Sequence, residues 1–288
     1  MDLHILDQCL DEPDTQDRRR RLSELRHETV SHDWLWRISQ AHGPTVPQED
    51  FQTAVRIRLG ATCAHRTTLC GRCGTRLGDA QSHAFCCALP EATKGHYSVR
   101  DATLSLAHLA DPATTAETRG LIPSRPLLRP ADFLCSAAFP GRLTALDIGV
   151  CSPDAAGAGD DCCDAMYNRK RNDYKHVLDE LENQEKILYR PLVWSMWGRE
   201  HPETTSALTS MARAAARKHG LASHLPVLRR VRSAIGVQLM RRAVRMLHAC
   251  LPRETVVDEF LANVSVGHSL VPLNRGIVHS HVGFDARP

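Results

Sequence analysis

The sequence lacks the features of membrane-spanning and secreted proteins. No run of apolar residues approaches the roughly 20 that a helix needs to cross a bilayer. The opening residues, Met1-Asp2-Leu3-His4, contain neither the basic nor the apolar segment of a signal peptide. We therefore expect an intracellular protein that does not contact membranes. Its 288 residues can bury a full core, as one large domain or two smaller ones.

Acidic residues are missing from one long stretch, 205–253. This stretch contains ten basic residues: Arg213, Arg217, Lys218, Arg229, Arg230, Arg232, Arg241, Arg242, Arg245 and Arg253. A predicted helical segment with so many basic residues and no acidic ones indicates a surface that binds a polyanion, and nucleic acid is the first candidate. The alternative is a solvated basic face, although such faces usually carry acidic residues too.

The chain contains 11 cysteines. In an intracellular protein they indicate metal ligation or buried thiols before disulfides. Five of them, Cys63, Cys70, Cys73, Cys86 and Cys87, fall within one short stretch. This uneven distribution favours a local metal site.

Four ligands with zinc-site spacing lie in that stretch: Cys70, Cys73, His83 and Cys87. Tetrahedral zinc takes four thiolate or imidazole ligands, and a Cys-x-x-Cys turn presents two thiolates to one ion. Cys86 is an alternative fourth ligand, and three further candidates are Cys63, His65 and His96. We predict a structural zinc knuckle; a set of reduced, half-buried cysteines is the alternative.

Two aspartates flank a turn signal, Phe139-Pro140-Gly141-Arg142. Facing residues of an antiparallel pair have numbers with a constant sum; a turn centred on residues 140 and 141 gives 281, while Asp132 and Asp147 give 279. The two carboxylates should therefore lie close together and can hold a divalent metal. Glu117 is a candidate third carboxylate. Alternatively, the aspartates are ordinary residues at strand ends, although Asp147 in an apolar run needs a partner.

A lysine partner for these carboxylates is predicted by helical phase. We expect a long helix over about 164–186, in which Lys170 occupies the missing place in a stripe of three- and four-residue steps, whereas Lys175 lies about 100° away. The other members of the stripe are Tyr167, Tyr174, Leu178 and Leu181. Lys170 then faces the sheet, unless only its stem packs there and its amine reaches water.

Metal-bound carboxylates and a lysine are the groups needed to cleave a phosphodiester. A metal ion polarises the phosphoryl oxygen, and the lysine counters developing negative charge. Oxygen ligands suit one or two Mg²⁺ ions.

The pattern of elements predicts an α/β (α+β) fold with a central mixed sheet flanked by helices. We expect a helix over about 98–110, a strand-rich centre over 117–152, and a strand over 187–196 in which Pro191 indicates an edge or bulge. Two basic helices should follow, separated near Gly220 to Pro226. Five segments result: a helical segment 1–62, a zinc knuckle 63–97, a nuclease core 98–202, a basic helical segment 203–253 and an irregular tail 254–288.

Eight short motifs follow one another along the chain: Cys70-x-x-Cys73, Gly78-Asp79, His83-x-x-x-Cys87, His96-x-x-x-Arg100-Asp101, Glu117-x-x-Gly120-Leu121, Arg129-Pro130-Ala131-Asp132, Leu146-Asp147-Ile148-Gly149-Val150-x-Ser152-Pro153 and Lys170-x-x-x-Tyr174. In this order they resemble the C-terminal region of non-LTR retrotransposon polyproteins. There, a zinc knuckle precedes a restriction-like endonuclease of the PD-(D/E)xK superfamily. The resemblance covers about residues 20 to 252.

The resemblance implies roles for four residues. Asp132 and Asp147 match the metal-binding aspartates, and Glu117 matches the upstream acidic position. Lys170 matches the lysine that this subgroup moves from the strand to the following helix, which explains why Asp147-Ile148-Gly149 lacks a strand lysine.

The resemblance also implies a missing partner. Such polyproteins carry a reverse transcriptase upstream of the knuckle, and the roughly 60 residues here contain no Tyr-x-Asp-Asp motif. We expect a fragment, a separately encoded remnant or a domesticated copy, acting in the nucleus with a reverse transcriptase encoded elsewhere. The main hypothesis is a Mg²⁺-dependent endonuclease that nicks target DNA. The alternatives are a zinc-dependent DNA-binding module with an inactive nuclease centre, and a structural zinc protein that binds RNA.

Overall fold

The structure is a computed structural model that describes residues 16–36, 45–61, 63–64, 67–77 and 82–252. These residues belong to one compact unit that ends at Pro252. His65, Gly78, Asp79 and the expected irregular tail 254–288 lie outside the described residues.

A four-stranded mixed sheet forms the centre of the fold. Its strands are β1 (Thr115–Ala116), β2 (Phe133–Phe139), β3 (Arg142–Cys151) and β4 (Leu188–Ser195), in the spatial order β1-β2-β3-β4. The pairs β1–β2 and β2–β3 are antiparallel, whereas β3–β4 is parallel. The predicted mixed α/β architecture is therefore confirmed. Pro191 lies on β4, an edge strand, where its missing N–H costs no ladder hydrogen bond on the open side.

Eight α-helices accompany the sheet in the described part of the chain. They are α1 (Gln16–Leu25), α2 (Gln48–Leu59), α3 (Ala84–Cys87), α4 (Leu89–Ala110), α5 (Cys162–Asp173), α6 (Lys175–Asp179), α7 (Pro202–Lys218) and α8 (Leu225–Cys250). The two basic helices α7 and α8 occur where the sequence predicts them. Among the described residues, none of these helices is both long and apolar enough to cross a membrane.

Three elements differ from the sequence prediction. Helix α4 begins nine residues earlier than expected, with a proline in its first turn, where a missing N–H is tolerated. Residues 117–132 form turns and loops between β1 and β2, not strand. The expected helix over 164–186 is broken at Tyr174 (φ −104°, ψ 4°) and ends in a π-helical turn, Glu180–Gln184. The break allows Val177 and Leu181 to be buried against the sheet.

The two faces of the sheet pack against different helices. Helices α4, α7 and α8 cover one face, where Leu146 and Ile148 of β3 are fully buried. Helices α5 and α6 lie over the other face, toward which Ala145 and Cys151 point. Because side chains alternate along a strand, Asp147 and Gly149 also point toward α5.

Candidate functional site

Asp132 and Asp147 lie close together where β2 pairs with β3. The strand pairing Phe139↔Arg142 at the turn has the sum 281, and the pairing Phe133↔Leu146 has the sum 279. The register shifts between Cys135 and Phe139. Asp132 lies one residue before β2. Its N–H donates a 2.9 Å hydrogen bond to the Leu146 carbonyl and its Oδ2 accepts a 2.7 Å hydrogen bond from the Ile148 N–H, so its carboxylate lies beside the Asp147 position of β3.

Lys170 lies directly over this pair. Its Nζ is 2.8 Å from Asp147 Oδ1 and 2.9 Å from Asp147 Oδ2. Helix α5 packs across β3 and β4 and carries Lys170 in its last turn. The amine therefore reaches the carboxylate, and it does not extend along its stem into water.

The two aspartates sit in different electrostatic environments. Burial dominates at Asp147 and, together with the nearby Asp132 carboxylate, raises the pKa of Asp147 above its ordinary value despite Lys170 and Tyr189. Partial burial acts the same way at Asp132, but hydrogen bonds from His96 and the Ile148 N–H, with the charges of His96 and Lys170, lower the pKa of Asp132. Such splitting of two neighbouring acids is common at functional sites.

Two further side chains at this centre were not assigned to it by sequence. His96 Nε2 lies 3.3 Å from Asp132 Oδ1, and the Tyr189 hydroxyl donates a 2.8 Å hydrogen bond to Asp147 Oδ2. The sequence offers His96 as a further candidate zinc ligand. Because α4 begins early, it places His96 beside Asp132 instead. The His96-x-x-x-Arg100 spacing, one helical turn, was the available signal.

Glu117 is held by arginines in this structure. Arg100 Nη1 lies 2.6 Å from Glu117 Oε1, and Arg129 Nη1 lies 3.1 Å from Glu117 Oε2. The Glu117 backbone is left-handed (φ 54°) and its N–H donates to the carbonyl of Asp132. Among the described residues, Glu117 does not join the two aspartates in a group with ligand atoms within 4.8 Å of one another. Its expected role as a third metal ligand stays a prediction.

Cys70, Cys73, His83 and Cys87 form a cluster that can hold a metal ion such as zinc. Their ligand atoms all lie within 4.8 Å of one another. Cys87 Sγ lies 3.9 Å from Cys70 Sγ and 3.7 Å from Cys73 Sγ, and Cys73 Sγ lies 3.1 Å from His83 Nε2. Tetrahedral Zn–S bonds of about 2.3 Å place sulfurs about 3.8 Å apart. The donor set and its spacing therefore fit the ion.

The structure distinguishes between the alternative fourth ligands. Cys87 belongs to the cluster, whereas Cys86 lies near Ser152 and Arg242. Because the two residues are consecutive on the short helix α3, their side chains point about 100° apart. Cys63 is buried outside the cluster.

The exposed basic residues form two groups on the C-terminal helices. Arg213, Arg217 and Lys218 are exposed on α7, and Arg229 and Arg230 are exposed at the start of α8. These five positions can contact a polyanion.

The other basic residues of α8 are turned inward. Arg242 is only 6% exposed and packs across Gly95 of α4. Arg232 makes two hydrogen bonds to the buried Glu200, and Arg241 and Arg245 are half-buried. The expectation that these basic residues face nucleic acid is wrong for Arg242, because α8 is enclosed by α2, α3, α4 and α7 and Arg242 meets protein on most sides. Arg253, the tenth of them, lies outside the described residues.

Compared with known proteins, the chain matches no protein-family model, no curated protein and no solved structure.

Proposed function

We propose that the protein is a divalent-metal-dependent DNA endonuclease that hydrolyses phosphodiester bonds. One observation carries the proposal: the Asp132 carboxylate accepts from the Ile148 N–H, next to Asp147 on β3, and Lys170 Nζ lies 2.8 Å from Asp147 Oδ1. Asp132 comes from the loop before β2, Asp147 from β3 and Lys170 from α5, and no local packing requirement demands that two acids meet there. The motif order that resembles retrotransposon endonucleases supports the same reading.

The donor set at this centre suits Mg²⁺. Both aspartates offer carboxylate oxygens, the ligands that Mg²⁺ prefers. Asp147 Oδ1 and both oxygens of Asp132 each accept one hydrogen bond and keep a second lone pair, whereas Asp147 Oδ2 already accepts two. Asp132 and Asp147 would hold the ion, and it would supply Lewis acidity toward a phosphoryl oxygen.

The protein groups around the aspartates have separate tasks. Lys170 carries positive charge into a partly buried position, where it would counter negative charge on the phosphate more strongly than in water. His96 orients Asp132 through their 3.3 Å contact. Arg100 and Arg129, already paired with Glu117, provide donors at the rim of the same centre.

DNA binding would use the exposed basic residues of α7 and α8. Arginine and lysine contacts to phosphates give affinity without sequence preference, and they weaken with salt. The Cys70–Cys87 cluster would bind zinc and hold α3 and the preceding turn in place. A DNA substrate would place the protein in the nucleus. The resemblance to retrotransposon polyproteins adds a reverse transcriptase, encoded elsewhere, as a partner.

A second candidate is a DNA-binding protein whose nuclease centre is inactive. Lys170 engages both oxygens of Asp147, and Tyr189 adds a third hydrogen bond to the same carboxylate. A metal ion must share or displace these contacts. If a metal ion cannot displace these contacts, Asp147, Lys170 and Tyr189 would form only a polar network that stabilises the fold.

Nicking of supercoiled plasmid in the presence of Mg²⁺ tests the first proposal. We expect the native chain to convert the plasmid to the open circle, and we expect Asp147→Asn and Lys170→Ala to lose at least about 100-fold in rate. Lys175→Ala is the matched control, because Lys175 is exposed on the following helix. Retained DNA binding without Mg²⁺-dependent nicking would favour the inactive protein; equal nicking by the native chain and Asp147→Asn would indicate contamination.

Elemental analysis of the purified protein tests the zinc assignment. We expect Cys73→Ser to lose zinc, since it removes one of four ligands. Cys86→Ser should retain it, and this variant controls for loss of a neighbouring thiol. Loss of zinc from Cys86→Ser alone would reject the assignment of Cys87.

A further inference from the structure

We propose that Cys151, Cys162 and Cys163 form a second metal site, which binds a thiophilic divalent cation of the zinc type. The three Sγ atoms all lie within 4.8 Å of one another. Cys151 Sγ is 3.8 Å from Cys163 Sγ, the separation expected for two thiolates on one zinc ion with bonds of about 2.3 Å. This inference does not rest on the nuclease proposal.

The three thiols come from two elements that meet at the same end. Cys151 is the last residue of β3, and Cys162 and Cys163 are the first two residues of α5. The ten residues of 152–161 separate them in sequence. The three side chains are 6%, 3% and 0% exposed, respectively, so an ion held there is shielded from solvent chelators.

The surroundings favour a thiolate at Cys162, whereas the sulfurs of Cys151 and Cys163 lie within hydrogen-bond distance of the Trp194 and Arg199 carbonyls. Cys162 and Cys163 lie at the N-terminus of α5, where the helix dipole stabilises negative charge. Arg199 Nη2 lies 3.6 Å from Cys162 Sγ. Arg199 is itself fixed by two hydrogen bonds to Asp161, the N-cap of α5, and by two to Glu24 of α1.

Charge selects the kind of cation. With an ion bound, three thiolates, Asp161 and Glu24 would carry five negative charges against the one positive charge of Arg199. A divalent ion balances this group better than a monovalent one, and sulfur ligands exclude Mg²⁺ and Ca²⁺. Glu24 Oε1 lies 4.0 Å from Cys162 Sγ, but it does not join the three sulfurs in the group of atoms within 4.8 Å of one another.

The site would join the two elements that carry the aspartate and the lysine described above. Asp147 lies four residues before Cys151 on β3, and Lys170 lies seven residues after Cys163 on α5. An ion bound to both elements would hold the helix at a constant position along the strand. The alternative is three reduced thiols that pack as small apolar groups beside Ala158 and Val193.

Zinc content of the full chain, purified under reducing conditions, tests the proposal. We expect about two zinc ions per native chain and about one in Cys163→Ala, since each site takes one ion. Cys135→Ala should retain both, because Cys135 is a fully buried cysteine of β2 outside both clusters. One zinc ion per native chain, unchanged in Cys163→Ala, would overturn the inference.

Cobalt binding provides a measurement that does not depend on the folding of Cys163→Ala. In the double variant Cys70→Ser, Cys73→Ser the first cluster is lost, and we expect Co²⁺ to produce a thiolate-to-metal absorption band from the remaining site. Absence of that band, or a disulfide between Cys151 and Cys163 under reducing conditions, would reject the second site.

Discussion

Gly149 leaves the space through which the Lys170 side chain reaches Asp147. A Cβ atom at Gly149 would lie 3.0 Å from Lys170 Cε, 3.2 Å from Met166 Cγ and 3.2 Å from Val193 Cγ2. Gly149 and Asp147 point toward the same helix, two residues apart on β3. The lack of a side chain at 149 is therefore part of what places a lysine from the helix beside a strand aspartate.

We expect Gly149→Ala to lower the nicking rate by about 10- to 100-fold, since a misplacement of about 1 Å is enough to cost this much. The protein should still fold, because the nearest atom belongs to the flexible end of a lysine. Plasmid nicking and urea unfolding measure the two effects. Gly157→Ala is the control, because a Cβ there meets no atom within 4 Å. A fully active Gly149→Ala would show that Lys170 is not needed at this position.

We expect Tyr189→Phe to lower the free energy of unfolding by about 1.5–3 kcal/mol, the contribution of a hydrogen bond to a charged group. The Tyr189 hydroxyl is buried and donates to Asp147 Oδ2, so its loss should also raise the pKa of Asp147 further. Urea unfolding measures the first effect. Tyr174→Phe is a matched control, because the Tyr174 hydroxyl makes only a 3.5 Å contact with the Arg129 carbonyl. Equal destabilisation by both variants would contradict the prediction.

Alanine substitution of two arginines one turn apart on α8, Arg229 and Arg232, should change the stability of the protein by very different amounts. Arg232→Ala leaves Glu200, 3% exposed, without its charged partner and should cost about 3–5 kcal/mol in the free energy of unfolding. Arg229→Ala removes an exposed side chain and should change stability by less than about 0.5 kcal/mol.

DNA affinity should show the reverse order in this pair. If Arg229 contacts a phosphate, Arg229→Ala should weaken binding and reduce the salt dependence by about one counterion. Binding titrations at several salt concentrations measure this. An unchanged salt dependence would remove Arg229 from the DNA-binding surface.

The stability of the protein should fall as the pH is lowered from 6.5 toward 4. Burial, followed by the positive charge of Arg58, lowers the pKa of His32 to about 4 from 6.5. Below pH 6.5 the unfolded chain takes up a proton that the folded chain refuses, so the stability present above pH 6.5 is lost as the pH falls. The imidazole is half exposed, which reduces the expected loss to about 1–2 kcal/mol.

Comparison of unfolding curves for the native chain and His32→Asn isolates this effect. Arg58 Nη2 lies 3.1 Å from His32 Nδ1, and an asparagine oxygen can accept in its place without taking a proton. We expect the pH dependence of the variant to be shallower over this range. Identical curves would show that His32 does not titrate differently in the folded chain.

The sequence was informative where the deciding interactions are local. The turn at Pro140-Gly141 predicted that β2 and β3 pair, because a tight turn limits the possible registers. The spacing of Cys70, Cys73, His83 and Cys87 predicted a cluster, because a short chain segment can close around an ion with little loss of entropy. The helical spacing of Lys170 from Tyr167 and Tyr174 predicted that its side chain faces the sheet. The same spacing did not predict the break in the helix at Tyr174.

The tertiary structure alone decided which distant groups meet. His96 lies 36 residues from Asp132, and Arg232 lies 32 residues from Glu200; neither pairing has a sequence period. The burial of Arg242 depends on the helices around α8, and the meeting of Cys151 with Cys163 depends on how α5 returns to β3. The residue types and their local spacing determined which chemistry the chain carries. Helix packing determined which of those side chains share a site, because contacts between distant segments depend on the whole core.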